Sequence, residues 1–422
     1  MRKRVLFMLI SMNVGGTERA FLNMLHELPE EDYDITVLLL EKKGGLYQEL
    51  PQHVIVQEMK DFPHIGRQLS YNPKEKIKAH LSKRRYKQSL FLFVLHSYMK
   101  VTKDRRILFK NVFKKVPILE EKYDVAVAYA GPMDIITYYI ANRVKAKEKY
   151  QWIHFDVKEI GFDHRFARRM YRLFNRIFVV SNTAANHLKE KLPTLSHKID
   201  TQTNDIPALT ITQLAEKEDV FPASSIIRIV TVARIMNEKG PDIAVKTLYE
   251  LRKLGYNIQW HWVGEGQWIS HIKEMIQEFE LEDSFILEGS KSNPYPYIRQ
   301  SDIYVQPSRH EGYCLTIAEA RALKKPIVST ATAGAKEQIK HGETGLISEI
   351  NEPELLRNII KLIKNPDLRT KISEALQEEN NKNSIPFHSK EWSAHYYSSS
   401  KKEALFNKME KEKQCNKGSI YS

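Results

Sequence analysis

The chain repeats one rhythm from end to end: a short apolar run, a loop, then a longer stretch with apolar residues at helical spacing. Runs that are apolar without alternation are strands buried on both faces, and helices between them carry the chain back to start the next strand in the same direction. Such a chain builds parallel sheets with crossover helices and little else. In the first half the expected strands are 5–10, 35–40, 54–57, 125–129, 150–154 and 176–180, with helices such as 17–28 and 183–190 between them. The second half offers strands 226–233, 258–263, 285–287, 303–305, 326–328 and 345–347 and helices 243–254, 268–279, 315–322 and 353–363. That is two open α/β sheets in series. Periodicity fades between Ile206 and Ser225, where Pro207 and Pro222 punctuate the chain, and the domain boundary is expected there.

With 422 residues, 42% of them hydrophobic, the chain has the material for two cores. Two cysteines far apart, Cys314 and Cys415, argue against a disulfide framework and fit a reducing compartment. Met1-Arg2-Lys3-Arg4 and the apolar 5–12 look like the start of a signal peptide, but they run on into Gly15-Gly16 and a helical stretch, as a buried first strand would. The expected compartment is the cytoplasm. After Asn365 the pattern is helical, then polar over 378–384, with a last amphipathic stretch at 389–411.

Doubly wound sheets bind ligands beyond the carboxyl ends of their strands, so the loops after strands are the places to look. Arg234 and Lys239 follow strand 226–233, and Gly240-Pro241 opens a helix. Proline suits the first helical position, where its missing N–H would be unbonded anyway. Two cations beside a helix N-terminus form either a seat for a diphosphate or an ordinary solvated loop. The stretch Gln306 to Ala320 places Glu311 in the loop after another strand and Glu319 in the first or second turn of the next helix. A carboxylate can accept two sugar hydroxyls at once. Gly312 permits close approach of backbone to a ligand, and the amides of Cys314, Leu315 and Thr316 at the helix start can face a phosphate. Asp32-Tyr33-Asp34 has the Asp-x-Asp form of a divalent-cation site but precedes a strand on its opening side, so a solvated turn is expected.

Taken together, these stretches resemble the donor-binding domain of glycosyltransferase family 4, the retaining enzymes with the two-domain GT-B fold. The likeness covers residues 230–347 and runs through Arg234…Lys239-Gly240, Gly264-Glu265-Gly266, Gly289, Asp302 to Ser308, Glu311-Gly312-Tyr313, Ile317-Ala318-Glu319-Ala320, Gly334…Glu337 and Gly342-Glu343-Thr344-Gly345-Leu346. The resemblance implies an α/β protein of two doubly wound Rossmann-like domains facing a cleft, with a C-terminal helix around Trp392 crossing back to the first domain. Residues 1–207 would be the acceptor-binding domain, with a basic insertion at 74–115. Residues 208–385 would bind the donor, and 386–422 would hold the crossover helix and tail.

By the same resemblance Arg234 and Lys239 hold a nucleoside diphosphate, Glu311 contacts the transferred sugar, Glu319 holds the ribose, and the stretch after Gly289 frames the base. Gly15 and Gly16, after the first strand, resemble the glycine loop near the donor sugar, or are a plain strand-to-helix turn. His154 resembles the histidine that faces the cleft, although a histidine at a strand end is also a common structural residue. The catalytic set would be Glu311, His154, Arg234 and Lys239. The donor would be held by Gly15, Gly16, Arg234, Lys239, Gly289, Glu311, Gly312, Tyr313, Cys314, Leu315, Thr316 and Glu319. The fold resembled needs neither a metal nor a cofactor, only a nucleoside diphosphate sugar as co-substrate. Tyr313 in place of Phe, Ala233 in place of Gly and Ala333 in place of one Gly of a pair are departures that touch sugar choice and leave the charged groups intact.

The net charge of +13 is concentrated: residues 74–115 hold fourteen Lys or Arg and two acids, Glu75 and Asp104. The cations are interleaved with Leu90 to Leu95, Tyr98, Ile107, Phe109 and Phe113. Three readings follow: an interfacial segment at an anionic membrane, a solvated helical insertion, or a nucleic-acid surface. No nucleic-acid motif accompanies the charge, and membrane contact is the expectation carried forward. The activity expected is transfer of a hexose, from a UDP-linked donor, to a hydroxyl of a lipid-linked or cell-surface glycan (capsule or exopolysaccharide), at the inner face of the cell membrane. A silent binding subunit of a polysaccharide-assembly complex and a nucleotide-sugar epimerase of the same fold are the alternatives.

Overall fold

In a computed structural model of the chain, residues 2–60, 84–102, 105–116, 118–131, 133–158, 161–204 and 206–382 are described, with a few isolated positions between 61 and 83. Residues Met1–Gln377 form one unit and Glu378–Ser422 another. The expected crossover helix around Trp392 and a minor part of the basic 74–115 stretch, chiefly at its start, lie outside the described residues.

The first sheet holds β1 (Lys3–Leu9), β2 (Tyr33–Leu39), β3 (Ile55–Glu58), β4 (Lys122–Gly131), β5 (Lys145–Ile153), β6 (Arg176–Val179) and β7 (Ile199–Thr201). They are parallel throughout, in the order β3-β2-β1-β4-β5-β6-β7. Its helices are α1 (Gly16–Glu27), α2 (Tyr86–Thr102), α3 (Arg106–Val112), α4 (Asp134–Arg143), α5 (His164–Tyr171) and α6 (Asn182–Lys191). The second sheet holds β8 (Ile227–Val232), β9 (Ile258–Val263), β10 (Phe285–Gly289), β11 (Ile303–Gln306), β12 (Ile327–Thr330) and β13 (Leu346–Ser348), again parallel, in the order β10-β9-β8-β11-β12-β13. Around it lie α7 (Ala208–Ala215), α8 (Pro241–Lys253), α9 (Ile269–Glu278), α10 (Tyr295–Gln300), α11 (Leu315–Ala322), α12 (Ala333–Gln338) and α13 (Glu352–Lys364), followed by α14 (Pro366–Lys382).

Both sheets therefore start at the centre, wind out to one edge, return and wind out to the other. The winding reverses between β1 and β4 in the first sheet and between β8 and β11 in the second. Loops diverge at these switch points and leave a crevice at the strand ends. Strand interiors are apolar on both faces, as the expected sheets require: Leu6, Phe7 and Met8 of β1 and Ile229 and Val230 of β8 are fully buried. Trp260 and Trp262 lie on one face of β9, both fully buried. Their indole N–H groups reach Thr231 Oγ1 at 3.0 Å and the Ala233 carbonyl at 2.8 Å, so the polar edges are satisfied.

Two local expectations change. The span 206–225 is not featureless: α7 forms there, and its Ile211 and Ala215 enter the core against Val230, Tyr295, Tyr304 and Ile317. Pro222 and the short helix masked the periodicity. Tyr33 and Asp34 are not in a turn; they open β2, with Tyr33 buried and Asp34 within 3.7 Å of Arg2. Among the described residues no group of three His, Cys, Asp or Glu side chains is placed to hold a metal, and no helix is long and apolar enough to cross a membrane.

Candidate active site

The loops at the second switch point carry the charged groups. After β8 the chain passes Arg234 and a short 3-10 turn, Asn237–Lys239, before α8. Gly240 between them has φ +64, and a Cβ there would lie 2.1 Å from the Pro307 carbonyl oxygen. Only glycine lets the Lys239 loop lie against the loop after β11. That contact brings Lys239 Nζ to 2.7 Å from Glu311 Oε1. The same oxygen accepts from Ser308 Oγ at 2.7 Å and is reached by Gln306 Nε2 at 3.4 Å. Gln306 is fixed in turn by Tyr304 OH at 2.7 Å, Ser308 Oγ at 2.8 Å and Thr316 Oγ1 at 3.1 Å. All three donors to Glu311 converge on Oε1, so its orientation is set while Oε2 takes none of them. Arg234 is exposed, and its guanidinium makes no hydrogen bond or ion pair among the described residues; its charge reaches Glu18 of α1.

Cys314 caps α11 with φ +61, a left-handed conformation that a non-glycine residue adopts at a cost. It turns the chain sharply, so that α11 begins at Leu315 with its first amides unsatisfied by the helix itself. The thiol is buried, and burial together with the Glu311 charge pushes its pKa far up, so it is an inert side chain. Glu319, one turn into α11, is 3% exposed and accepts from Tyr295 OH at 3.2 Å. Burial raises its pKa to about 7, against the opposing charge of Arg19.

The first domain supplies the facing wall. Gly15 caps α1, and Glu18 Oε2 folds back to 2.6 Å from where a Gly15 Cβ would be; a Cβ on Gly16 would meet only open space. Burial raises the pKa of Glu18, opposed by its backbone hydrogen bond and by Arg234. Arg19 pairs with Glu49 at 2.7 Å and donates to the Ser292 carbonyl at 2.8 Å, in the stretch after Gly289. His154 follows β5. Its ring is buried and tilted against Tyr129, with centroids 4.6 Å apart, and Nε2 lacks a hydrogen-bond partner among the described residues. Burial pushes its pKa down to about 3, so the imidazole is neutral at physiological pH. A Cβ on Gly312 would lie 2.8 Å from the His154 carbonyl oxygen, so the Glu311-Gly312-Tyr313 loop rests directly on the first domain. Glu337 of α12 closes a second contact: its carboxylate accepts from the amides of Asn182 at 3.0 Å and Thr183 at 2.6 Å, at the start of α6.

The structure thus gathers Lys239, Glu311, Gly312, Cys314, Leu315 and Thr316 in one patch. Glu319 lies one turn along α11, and Glu18 with the Gly15-Gly16 loop lies near Arg234. Gly289, φ +72, sits at the end of β10, its carbonyl accepting from Gly264 N–H at 2.8 Å. Sequence reasoning missed Arg19, Tyr295 and Ser308. Arg19 lies three residues past Gly16, and Ser308 ends the Asp302 to Ser308 stretch without a role assigned to it, because their partners are set by tertiary contact.

A family model described as "Glycosyl transferases group 1" matches residues 215–379. An uncharacterized glycosyltransferase of Haemophilus influenzae is 22% identical over 382 residues, covering 89% of this chain and 94% of that one. A putative colanic acid biosynthesis glycosyltransferase, WcaL of Salmonella typhimurium, is 25% identical over 138 residues, covering 31% of this chain and 34% of the relative. Among solved structures, Anabaena HepE in complex with UDP-glucose superposes with a TM-score of 0.64 at 15% identity, over 90% of this chain and 95% of that chain. The site geometry, the two Rossmann-like sheets and these likenesses agree: the chain is a glycosyltransferase with the GT-B architecture.

Proposed function

We propose that the chain is a retaining enzyme of the family 4 type, moving a hexose from a UDP-linked donor to a hydroxyl of a lipid-linked or cell-surface glycan. The observation that carries this reading is the Lys239–Glu311 pair at a switch point, 2.7 Å apart, beside the free amides of α11. A cation, a helix N-terminus and a carboxylate in one patch suit a sugar joined to a diphosphate.

In this reading Arg234, Lys239 and the amides of Cys314, Leu315 and Thr316 take the charge that develops on the departing diphosphate. Removing one such contact costs about 3 kcal/mol in the barrier. Glu311, held through Oε1, offers Oε2 to a sugar hydroxyl. Glu319 takes the ribose hydroxyls, and the stretch after Gly289 frames the base. Gly15, Gly16, Gly312 and Tyr313 border the sugar, and the buried, neutral His154 Nε2 is a partner for another of its hydroxyls. Contact between the domains excludes water that would otherwise hydrolyse the donor. The chemistry asks for no metal and no cofactor. Residues 1–207 take the acceptor and 208–385 the donor. The UDP preference is supported by the UDP-glucose bound in HepE, and the polysaccharide acceptor by the colanic acid assignment of WcaL. The chain works in the cytoplasm at the inner face of the membrane, which it touches through 74–115, and nucleic acid is no partner.

The test is a panel of nucleotide sugars incubated with membrane extract, following diphosphate release and glycan mass. Release that depends on Glu311, with the anomeric configuration of the donor kept in the product, is expected. No release, or equal behaviour of wild type and Glu311→Ala, refutes the reading.

A further inference from the structure

The seat proposed for the nucleoside half of the donor lies in the second domain, yet one of the charges acting on it comes from the first. Arg19 stands on the first turn of α1, and α1 packs on α11. Its side chain is 15% exposed. Nη1 donates to Glu49 Oε2 at 2.7 Å, in the 3-10 turn Tyr47–Glu49 of the same domain, and Nη2 crosses to the Ser292 carbonyl at 2.8 Å. A guanidinium is a rigid plane, so holding one nitrogen on Glu49 aims the other at the second domain. Ser292 lies three residues past Gly289, in the stretch assigned to the base.

The same charge reaches the carboxyl assigned to the ribose. Glu319 is 3% exposed, and a buried charge without a compensating partner is costly. Arg19 opposes that cost at Glu319 and acts in the same direction on Tyr295. The other groups around Glu319 bring it no positive charge. Tyr295 of α10 donates a neutral hydrogen bond at 3.2 Å, and Tyr304 of β11 keeps its proton. α7 and β12 carry no ionisable side chain, and on α12 Lys336 is exposed while Glu337 engages α6. Arg321 of α11 turns its charge to Tyr313, and on α1 Glu18 faces Arg234 while His26 lies in the last turn.

We propose that Arg19 is a positioning residue for donor binding: from the first domain it holds the chain at Ser292 and sets a positive charge opposite Glu319, so that ribose and base are fully gripped only while the two domains touch. The proposal rests on the assignment of Glu319 to the ribose and of the stretch after Gly289 to the base, and adds that the acceptor-side domain takes part in recognising the nucleotide. By linkage, a bound nucleotide strengthens the contact between the domains in return.

The test is calorimetric titration of UDP, from about pH 6 to about pH 8, into wild type, Arg19→Gln, Arg19→Lys, Glu319→Gln and the double variant Arg19→Gln with Glu319→Gln. Circular dichroism checks that each variant folds. Wild-type affinity should fall as pH drops through about 7, where Glu319 takes up its proton. Glutamine at position 19 keeps an amide donor and removes the charge. It should weaken UDP by at least about fivefold near neutral pH and move the midpoint of the pH profile upward. Lysine keeps the charge but cannot hold Glu49 and Ser292 with one plane, so affinity should fall by about threefold with the midpoint unmoved. In the double variant the loss caused by Arg19→Gln should shrink and lose its pH dependence, because the carboxyl it acts on is gone. Arg19→Gln or Arg19→Lys indistinguishable from wild type, with Glu319→Gln weakened, overturns this inference and leaves the donor seat standing. A loss in Arg19→Gln that is equal at every pH and undiminished in the double variant shows a packing role alone and also overturns it. Wild type that binds no nucleoside diphosphate, or binds UDP no better than Glu319→Gln does, overturns the assignment of Glu319 and this inference with it.

Discussion

Glu319→Gln separates two demands that the structure places on one carboxyl. Glu319 is buried under Tyr295, and its pKa stands at about 7 instead of the ordinary 4.5. The folded chain therefore binds this proton more tightly than the unfolded chain. The stabilisation is fully present below 4.5, falls as pH rises from 4.5 to 7, and is gone above. Ionising the group in the fold costs about 3 kcal/mol. Glutamine carries no such penalty. Urea denaturation of wild type and Glu319→Gln from about pH 5 to about pH 8 should show the variant gaining on wild type by about 3 kcal/mol across the range. The pH-dependent part isolates the carboxyl from any constant effect of the amide. Donor binding should run the other way, because only the ionised group accepts two ribose hydroxyls: the wild-type KM for donor should rise as pH falls below about 7, and Glu319→Gln should have a raised, pH-independent KM. A stability difference that stays flat with pH would refute the account of the buried carboxyl. An unchanged KM would refute its role at the ribose.

Other substitutions probe the contact between the domains and the tight turns of the site. Gly312→Ala puts a methyl 2.8 Å from the His154 carbonyl, against the backbone of residues 154–156; thermal denaturation should show a loss of about 1–3 kcal/mol, and donor KM should rise. Gly240→Ala meets both a left-handed φ of +64 and the Pro307 carbonyl at 2.1 Å, so its loss should be at least as large, with the Lys239–Glu311 pair displaced and turnover falling. Glu337→Ala removes the acceptor from two amides at the start of α6; about 1 kcal/mol should be lost in urea denaturation, with the far-UV spectrum unchanged.

The sheets were legible because parallel strands are apolar on both faces and helices fall between them at regular intervals. β7 and α4 escaped for local reasons. β7 has three residues with two polar ones, and α4 is buried from Ile135 to Ala141, so it shows no amphipathic stripe. At the site, Lys239 and Glu311 could be placed on the right loops because each follows a strand and precedes a glycine, and Glu319 on the right helix because it falls within the helical stretch 315–322. That Lys239 meets Glu311 could not be read, because it depends on Gly240 packing on Pro307. Arg19 reaching Ser292 spans the two domains and leaves no local pattern.

The central claim is that the loops after β8 and β11 seat a nucleoside diphosphate. Calorimetric titration of UDP into wild type, Arg234→Ala and Lys239→Ala tests it without knowledge of sugar or acceptor. The account predicts that wild type binds and that each variant binds at least about tenfold more weakly, the loss of one charge-assisted contact to phosphate. Absence of binding for UDP and every other nucleoside diphosphate, or equal affinity in all three proteins, would contradict it.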